Sequence, residues 1–500
     1  MRTPQSNNPL SAGNGPLYLS LPSMGVAGTW IAIALLTVFH FWCAATLPPT
    51  PDELYYWNWS QKLLPSYFDH PPMVAYAIRL STALFGDSIL AIRLPAIVFS
   101  LVVFLILLRL AHRGILVWLL LLSPLALYGS VLMTPDLPLA FFWILYAVWL
   151  AQVNTLLDAW SQDPVTRVYH SSPVPWVLWI LGGVLLGFGG LSKYTMALAV
   201  PCAFLALATR TRWRAWGPGF ALHLLVAGLL TLPVSLYFFR QDFAPFLFQW
   251  THAMRSDGFS LWRSLEFLAG QTALIGLLPL FMLPWILLRA RDVCAEPRSQ
   301  VYFWFFVLPY VFFLYRSLRV KLEGNWAVVA YLTFWPVADR LLSWSSFRTF
   351  VRGMVGTGFL VPVAASIALL VHLFHPFSAL KPRYDRVAVL RSQWDMAQLV
   401  ASYLKDKPLA GPLWVSDYQW TSYMRYLGIG AEQLFPGHRP SQYTPAPQDA
   451  CASAEVLALQ TWDNHAPALQ CFSKKEQKES FAIVARGKEV GRLWLFRYTK

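Results

Sequence analysis

Charge is the scarcest property of this sequence. Asp, Glu, Lys and Arg make up only 13% of its 500 residues, where a soluble protein carries about 25%, so a soluble chain of this length is excluded. Acids are the fewer, 25 against 39 Lys and Arg, for a net charge of +14. The basic excess is spread along the chain without long basic blocks, so no nucleic acid is expected as a partner; membrane lipids and an anionic lipid substrate suit the charge better. The phosphate cradle GxxxxGK[ST] is missing, and the glycines of GGVLLGFGG sit inside an apolar run, where they suit close helix packing. No internal repeat of fixed period occurs. Cys43, Cys202 and Cys294 fall in or beside apolar runs, which leaves Cys451 and Cys471 alone in the polar C-terminal part. An oxidising compartment would favour pairing those two; the alternative is two unrelated thiols.

What the chain has instead is apolar length: 56% of residues are hydrophobic and 24 are tryptophan. A bilayer core of about 30 Å needs about 20 apolar residues per helix. From Gly114 to Leu157 the only charged residue is Asp136, so this stretch reads as two helices joined by a tight turn at MTPDLP. The same reading along the chain gives spans at 28–47, 88–110, 115–133, 137–153, 176–192, 195–209, 217–239, 268–288, 301–316, 326–342 and 353–373. The expected fold is therefore an α-helical integral membrane protein of about eleven transmembrane helices.

Arg109, Arg113, the RTRWR cluster (Arg210, Arg212, Arg214), Arg289, Arg291, Arg298, Arg340, Arg348 and Arg352 all fall on one side of these spans, which marks that side as cytoplasmic. Arg240, Arg255, Arg263, Arg316, Arg319 and Lys321 lie on the other, so the bias is one of density in tight turns. Residues 1–27, rich in Ser, Asn, Pro and Gly, read as a flexible cytoplasmic tail; they lack the positive cluster of a secretory signal, and no cleavage is expected. Residues 28–373 form the transmembrane domain, with a first exported loop at 48–87. Residues 374–500 turn polar, with strand-like runs PLWVSDY, SFAIVARG and RLWLFRY and a helical SQWDMAQLVASYLKD, and are expected to form a small exported α+β domain. In a bacterium this places the chain in the inner membrane, N-terminus cytoplasmic and C-terminal domain periplasmic.

The first exported loop is unlike a tether. TPDELYYWNWSQKLLPSYFDHPPMVAYAIR, Thr50 to Arg79, holds Asp52, Glu53, Asp69 and His70, two adjacent prolines and seven aromatic residues. DELYYWNWSQKL has helical spacing and suits the membrane interface. Asp52 stands where a helix cap would, and so does Asp69. Capping explains one acid at a time, but the same side also carries Asp136, Lys193 with Tyr194 in LSKYT, and Lys321, Glu323, Asn325 and Trp326 in RSLRVKLEGNW. Ionisable groups at membrane depth mark a functional cavity. A carboxylate to take a proton from an acceptor hydroxyl, cations to stabilise a departing phosphate and aromatics for a sugar ring together suit group transfer from a lipid phosphate, for which no cofactor is required. The competing class is a transporter or flippase of a lipid-linked or anionic solute, which favours acids within spans and broken helices in matched halves.

PDELYYWNWSQKLLPSYFDHPPMVA resembles the first exported loop of the bacterial relatives of the protein O-mannosyltransferases and of the lipid A aminoarabinose transferase, GT-C glycosyltransferases that use polyprenyl-phosphate sugars. The resemblance extends to MTPDLPLAFFW, GLSKYTMAL, LPVSLYFFRQDFAPFLFQ and VKLEGNWAVVAYL, over most of residues 48–335, and matches the C-terminal domain more loosely. It implies a sugar donor on polyprenyl phosphate, a lipid, glycan or protein acceptor, and an inverting displacement. By the same resemblance Asp52 is the catalytic carboxylate and Asp136 the second acid, while Glu53, Tyr56, Asp69, His70, Lys193, Tyr194, Lys321 and Asn325 bind substrate. His70 stands where the lipid A enzyme has lysine, which makes Lys193 the stronger phosphate contact. An alternative reading of Asp69 and His70 has them ligating a divalent metal with a third group such as His252, although adjacent side chains lack the spacing of a metal site.

Overall fold

A computed structural model describes residues 26–110, 121–162, 174–209, 213–342, 348–405, 407, 411–434, 439–444 and 450–500. Residues 1–25 of the expected N-terminal tail and the orienting Arg113, Arg210 and Arg212 lie outside these. The described chain is a helical bundle with a small five-stranded sheet at its C-terminal end.

The helix α1 (Val26–Thr46) ends before the Pro48–Pro49 pair, and the chain turns by 85° into α2 (Pro51–Gln61). Thr50 starts α2 through a capping box: its side chain accepts from the Glu53 amide while Glu53 accepts from the Thr50 amide. Prolines 71 and 72 then launch α3 (Met73–Phe85), which Gly86, at φ +78°, terminates. The bundle continues through α4 (Ile89–Leu110), α5 (Asp136–Gln162), α6 (Trp176–Ser192), α7 (Ala199–Ala208), α8 (Trp213–Arg240), α9 (Ala244–Met254), α10 (Leu261–Ile275), α11 (Leu278–Leu288), α12 (Ala290–Val293), α13 (Pro297–Ser317), α14 (Val328–Leu342) and α15 (Arg348–Phe374).

Two expected spans differ. The one at 268–288 is broken: α10 and α11 meet at 107° across Gly276, whose φ of +96° no other residue adopts readily. The one at 115–133 lies partly outside the described residues, and its remainder holds a π-helical turn, Leu125–Gly129. Among the described residues α4, α5 and α8 are each long and apolar enough to cross a bilayer, and the bent pairs α1–α2 and α10–α11 bring the number to five at most. Other expected spans are helices that are too short, as α6 at 17 residues, or that carry polar side chains, as α13 does with Arg298, Ser299, Gln300 and Arg316.

Packing between α6 and α8 depends on the glycines of GGVLLGFGG. A Cβ on Gly183 would stand 2.6 Å from the His223 carbonyl, and one on Gly187 2.7 Å from the Leu230 side chain. Trp143, Phe305, Phe306 and Trp335, all buried, anchor the main core where α5, α13 and α14 meet.

Beyond α15 come α16 (Arg386–Lys405), β1 (Leu413–Val415), α17 (Tyr418–Tyr426), β2 (Ala431–Gln433), β3 (Glu455–Gln460), β4 (Lys474–Ala485) and β5 (Lys488–Thr499). Strand order is β2-β1-β3-β5-β4, with β1 parallel to both neighbours and β5 antiparallel to both of its own. Cys451 and Cys471 are joined in a disulfide, Cα atoms 5.9 Å apart. This region packs against the first loop. One apolar cluster runs from Leu54, Trp59 and Ile78 of the first loop into Val400, Val415, Trp420 and Leu459. α17 covers α2, and Tyr55, Tyr56 and Trp59 are buried.

Candidate active site

Two acids leave the first turn of α2 in different directions, because successive residues on a helix point about 100° apart. Glu53 turns inward. It is 1% exposed and meets the fully buried Arg93 of α4 in a two-pronged ion pair, both N···O distances 2.8 Å, and also accepts from the Met133 amide at 3.2 Å. Arg93 donates its remaining N–H groups to the carbonyls of Ala44, Leu47 and Pro48. The carboxylate of Glu53, expected to bind substrate, fastens the end of α1, the start of α2 and α4 together, and its lone pairs are occupied.

Asp52 turns outward and keeps solvent contact. It is not a cap, since Thr50 holds that position; nor is Asp69, since Pro72 precedes α3. Asp52 Oδ1 accepts from the Tyr418 hydroxyl of α17 at 3.1 Å. The protein wall around it pushes its carboxyl above the usual carboxylate range, although the Tyr418 bond and the Arg439 charge pull the other way. One turn on, Tyr56 is buried, and its phenol is pushed well up by burial and then by the charges of Asp52, Asp69 and Asp136, so it remains a protonated donor among these acids.

Asp69 accepts from the Tyr55 hydroxyl at 2.8 Å and from Arg439 at 2.7 Å. Its neighbour His70 is held neutral, its pKa lowered to about 3 by burial and by the charges of Lys193 and Arg439; the buried Nδ1 has no partner among the described residues. His70 is thus a hydrogen-bonding group there and not a cation. Asp136, at the start of α5, ion-pairs with Lys193 (Nζ–Oδ1 2.7 Å) and accepts from Asn325 Nδ2 at 2.7 Å. The turn carrying Asn325 is fixed by Gln271, which donates to the Gly324 carbonyl at 2.9 Å and accepts from Tyr331 at 2.7 Å. Tyr194 lies beside Ser66 and within electrostatic reach of Asp69.

Lys321 is exposed and makes no ion pair among the described residues, so it is not joined to the Asp136 cluster. The side chain of His252 is outside the described residues, and among those described no three His, Cys, Asp or Glu side chains are grouped to hold a metal ion. Arg93, Tyr418 and Arg439 went unforeseen. Arg93 is hidden in an apolar run, and nothing in the sequence near Tyr418 marks it; the prolines of PGHRPS mark only a rigid turn around Arg439.

A cavity of about 480 Å³ between α4, α5, α13 and α14 is lined by Arg109, Arg298, Arg340, Glu296 and Asp339. It reaches Val148 and Gln152, 12 and 16 residues along α5 from Asp136, hence about 18–24 Å away, and Glu296 is engaged in capping α13. It is a separate place from the acid cluster.

With this geometry in view, the chain's relatives are informative. Residues 69–162 match the dolichyl-phosphate-mannose-protein mannosyltransferase family. Over 344 residues, 67% of this chain and 68% of the other, it is 26% identical to lipid A galacturonosyltransferase RgtD of Rhizobium johnstonii. The crystal structure of ArnT from Cupriavidus metallidurans bound to undecaprenyl phosphate superposes with a TM-score of 0.61 at 15% identity, covering 94% of this chain and 98% of that one. The chain shares the fold of this ArnT. The apo structure of the same ArnT matches equally, with a TM-score of 0.61 at 14% identity. In this fold the acid cluster sits where α2, α5, the Lys193 turn and the α+β region converge.

Proposed function

We propose that this protein is a membrane glycosyltransferase of the GT-C type that moves a sugar from a polyprenyl-phosphate donor to a lipid A-type acceptor on the exported face of the bacterial inner membrane, with its N-terminus cytoplasmic and its α+β region periplasmic. The observation that carries the reading is the convergence of Asp52, Asp69 and Asp136 on Tyr56, with Lys193 paired to Asp136 beside them. RgtD, a lipid A galacturonosyltransferase by name, supports the acceptor class; the undecaprenyl phosphate bound by ArnT supports the donor lipid.

The reaction is a single displacement with inversion. The acceptor oxygen attacks the anomeric carbon from the side of Asp52, the carbon–oxygen bond to phosphate breaks, and polyprenyl phosphate leaves with the electron pair toward Lys193. If the acceptor is a hydroxyl, its proton passes to Asp52. If it is a phosphate group there is no proton to remove, and Asp52 positions it. His70 and Tyr56 line the path as neutral hydrogen-bonding groups, and Lys193, held by Asp136, supplies the fixed positive charge that a departing phosphate requires.

The test supplies membranes containing the wild type or Asp52→Asn with a panel of radiolabelled polyprenyl-phosphate sugars, galacturonic acid among them, and follows label into lipid, polysaccharide and protein. Transfer into lipid that is lost in the folded variant supports the reading. Equal transfer by both removes Asp52 from the mechanism, and label in protein or polysaccharide alone replaces the acceptor.

A further inference from the structure

The α+β region does more than cover the first loop. Five side chains form a continuous contact path across the junction. Tyr418 donates to Asp52 at 3.1 Å, and the Arg439 guanidinium lies 4.1 Å from the centre of the Tyr418 ring. Arg439 donates to Asp69 at 2.7 Å, and Asp69 accepts from Tyr55 at 2.8 Å. Tyr55 returns to Tyr418 with ring centres 4.8 Å apart, and its oxygen accepts from the Gln442 amide at 2.6 Å. Tyr418 opens α17, and the helix start is fixed by Asp417, which accepts from the Gln419 and Trp420 amides at 3.1 and 3.0 Å. The phenol is thus aimed by a capped helix rather than by a loop.

Docking by itself does not require this. The apolar cluster of Leu54, Val415, Trp420 and Leu459 already joins the two regions, and the phenol and the guanidinium fall instead on two acids of the first loop, Asp52 and Asp69. We infer that Tyr418 is a positioning residue for Asp52, and that Arg439 holds Tyr418 and Asp69 in register, so that the α+β region completes the reaction centre. The inference rests on the proposed role of Asp52. Tyr418 engages one carboxylate oxygen, Oδ1, which fixes the rotamer and directs Oδ2 to the acceptor. A phenol donates more strongly to a carboxylate than to a carboxylic acid, so the contact also favours the ionised form that a base needs.

The groups that act on Asp52 are Tyr418 and Arg439, which favour its ionised form, and Asp69 and Glu53, which oppose it. The buried Tyr56 and Tyr423 are within electrostatic reach of the same carboxylate. Loss of the phenol therefore moves Asp52 further toward the protonated state.

The test uses the full-length protein in lipid nanodiscs and reads the Asp52 carboxyl directly, as the pH-dependent infrared band present in the wild type and absent in Asp52→Asn. Tyr418→Phe keeps the ring against Tyr55 and should shift the midpoint of that band to higher pH. Transfer with whichever panel sugar the wild type uses should fall about tenfold in kcat with KM little changed, the size expected for one hydrogen bond to a charged group. Arg439→Met reaches the same carboxylate from the other side of Tyr418 and should shift the midpoint in the same direction, which gives an answer even if Tyr418→Phe folds poorly. An unchanged Asp52 band in the folded variants overturns the inference while leaving the proposed reaction intact. Full transfer by Asp52→Asn overturns the proposed reaction itself.

Discussion

Glu53 and Arg93 form an ion pair in which neither side chain is more than 1% exposed, one residue away from an acid that stays exposed, Asp52. Removing one member of such a pair leaves the other charged and buried, which costs about 3–5 kcal/mol. Glu53→Gln and Arg93→Met should each lower the thermal midpoint in detergent substantially. The double substitution Glu53→Leu/Arg93→Met should lower it by less than the two together, because neither charge is then orphaned. Strict additivity would show that the pair does not act as a unit.

Asp52→Asn keeps the shape of α2 and removes the base. Transfer to a hydroxyl acceptor should fall by roughly 10²–10⁴-fold with the melting temperature nearly unchanged. Because its surroundings raise the Asp52 carboxyl above the ordinary range, activity should be lost on acidification through a midpoint above about pH 4. His70, already neutral down to a pKa of about 3, should contribute no limb near pH 6.5, so a neutral substitution there should leave the shape of the profile intact. A limb that moved with His70→Asn would contradict the assignment.

Lys193, 2.7 Å from Asp136, is the fixed cation proposed to receive the leaving phosphate. Lys193→Met should weaken binding of undecaprenyl phosphate itself, measured by native mass spectrometry, whereas Lys321→Met, at an exposed position apart from the cluster, should weaken it much less. The reverse order would move the phosphate to the Lys321 loop.

The Cys451–Cys471 bond closes a separation of 20 residues in the α+β region. Replacing both by serine should remove about 3 kcal/mol of stability on chain-entropy grounds and leave the Asp52 infrared midpoint where it was, since the bond touches none of the cluster. A moved midpoint would link the disulfide to the site.

Asp385, buried where α15 passes into the α+β region, accepts from His372 Nε2 at 2.9 Å and from Arg486 at 3.3 Å. The Phe377 amide donates to His372 Nδ1 at 3.0 Å, which assigns the proton to Nε2. Burial alone would raise the Asp385 carboxyl, but the Ala388 amide, His372 and Arg486 outweigh it and hold it below the usual range. A folded-state value below the unfolded one gives stability that is present above the unfolded value and lost as pH falls through the folded one. The wild-type melting temperature should therefore drop more steeply below about pH 4 than that of Asp385→Asn, and parallel slopes would refute this.

The helices at most of the expected spans, the strands at PLWVSDY, SFAIVARG and RLWLFRY and the meeting of Asp136 with Lys193 and Asn325 were legible because each has a local signal. Apolar runs, alternation and a charge at the tip of an apolar helix are properties of neighbouring residues. Gly276 at 268–288 was a subtler local signal, since a left-handed turn inside an apolar run breaks a span without changing its hydropathy. The division of labour between Asp52 and Glu53 had no such mark: the two acids are chemically alike and adjacent, and only the position of Arg93 on another helix separates a structural tie from an exposed acid. What the sequence determined by itself was a membrane-embedded helical bundle with acids and a lysine gathered at one end, because bilayer thickness and the cost of buried charge act on every stretch of chain directly. What the tertiary structure decided was which acid stays exposed and which residues complete its surroundings. Tyr418 reaches Asp52 across 366 residues and Arg439 reaches Asp69 across 370, and contacts at that separation depend on how the α+β region docks on α2, which no local pattern encodes.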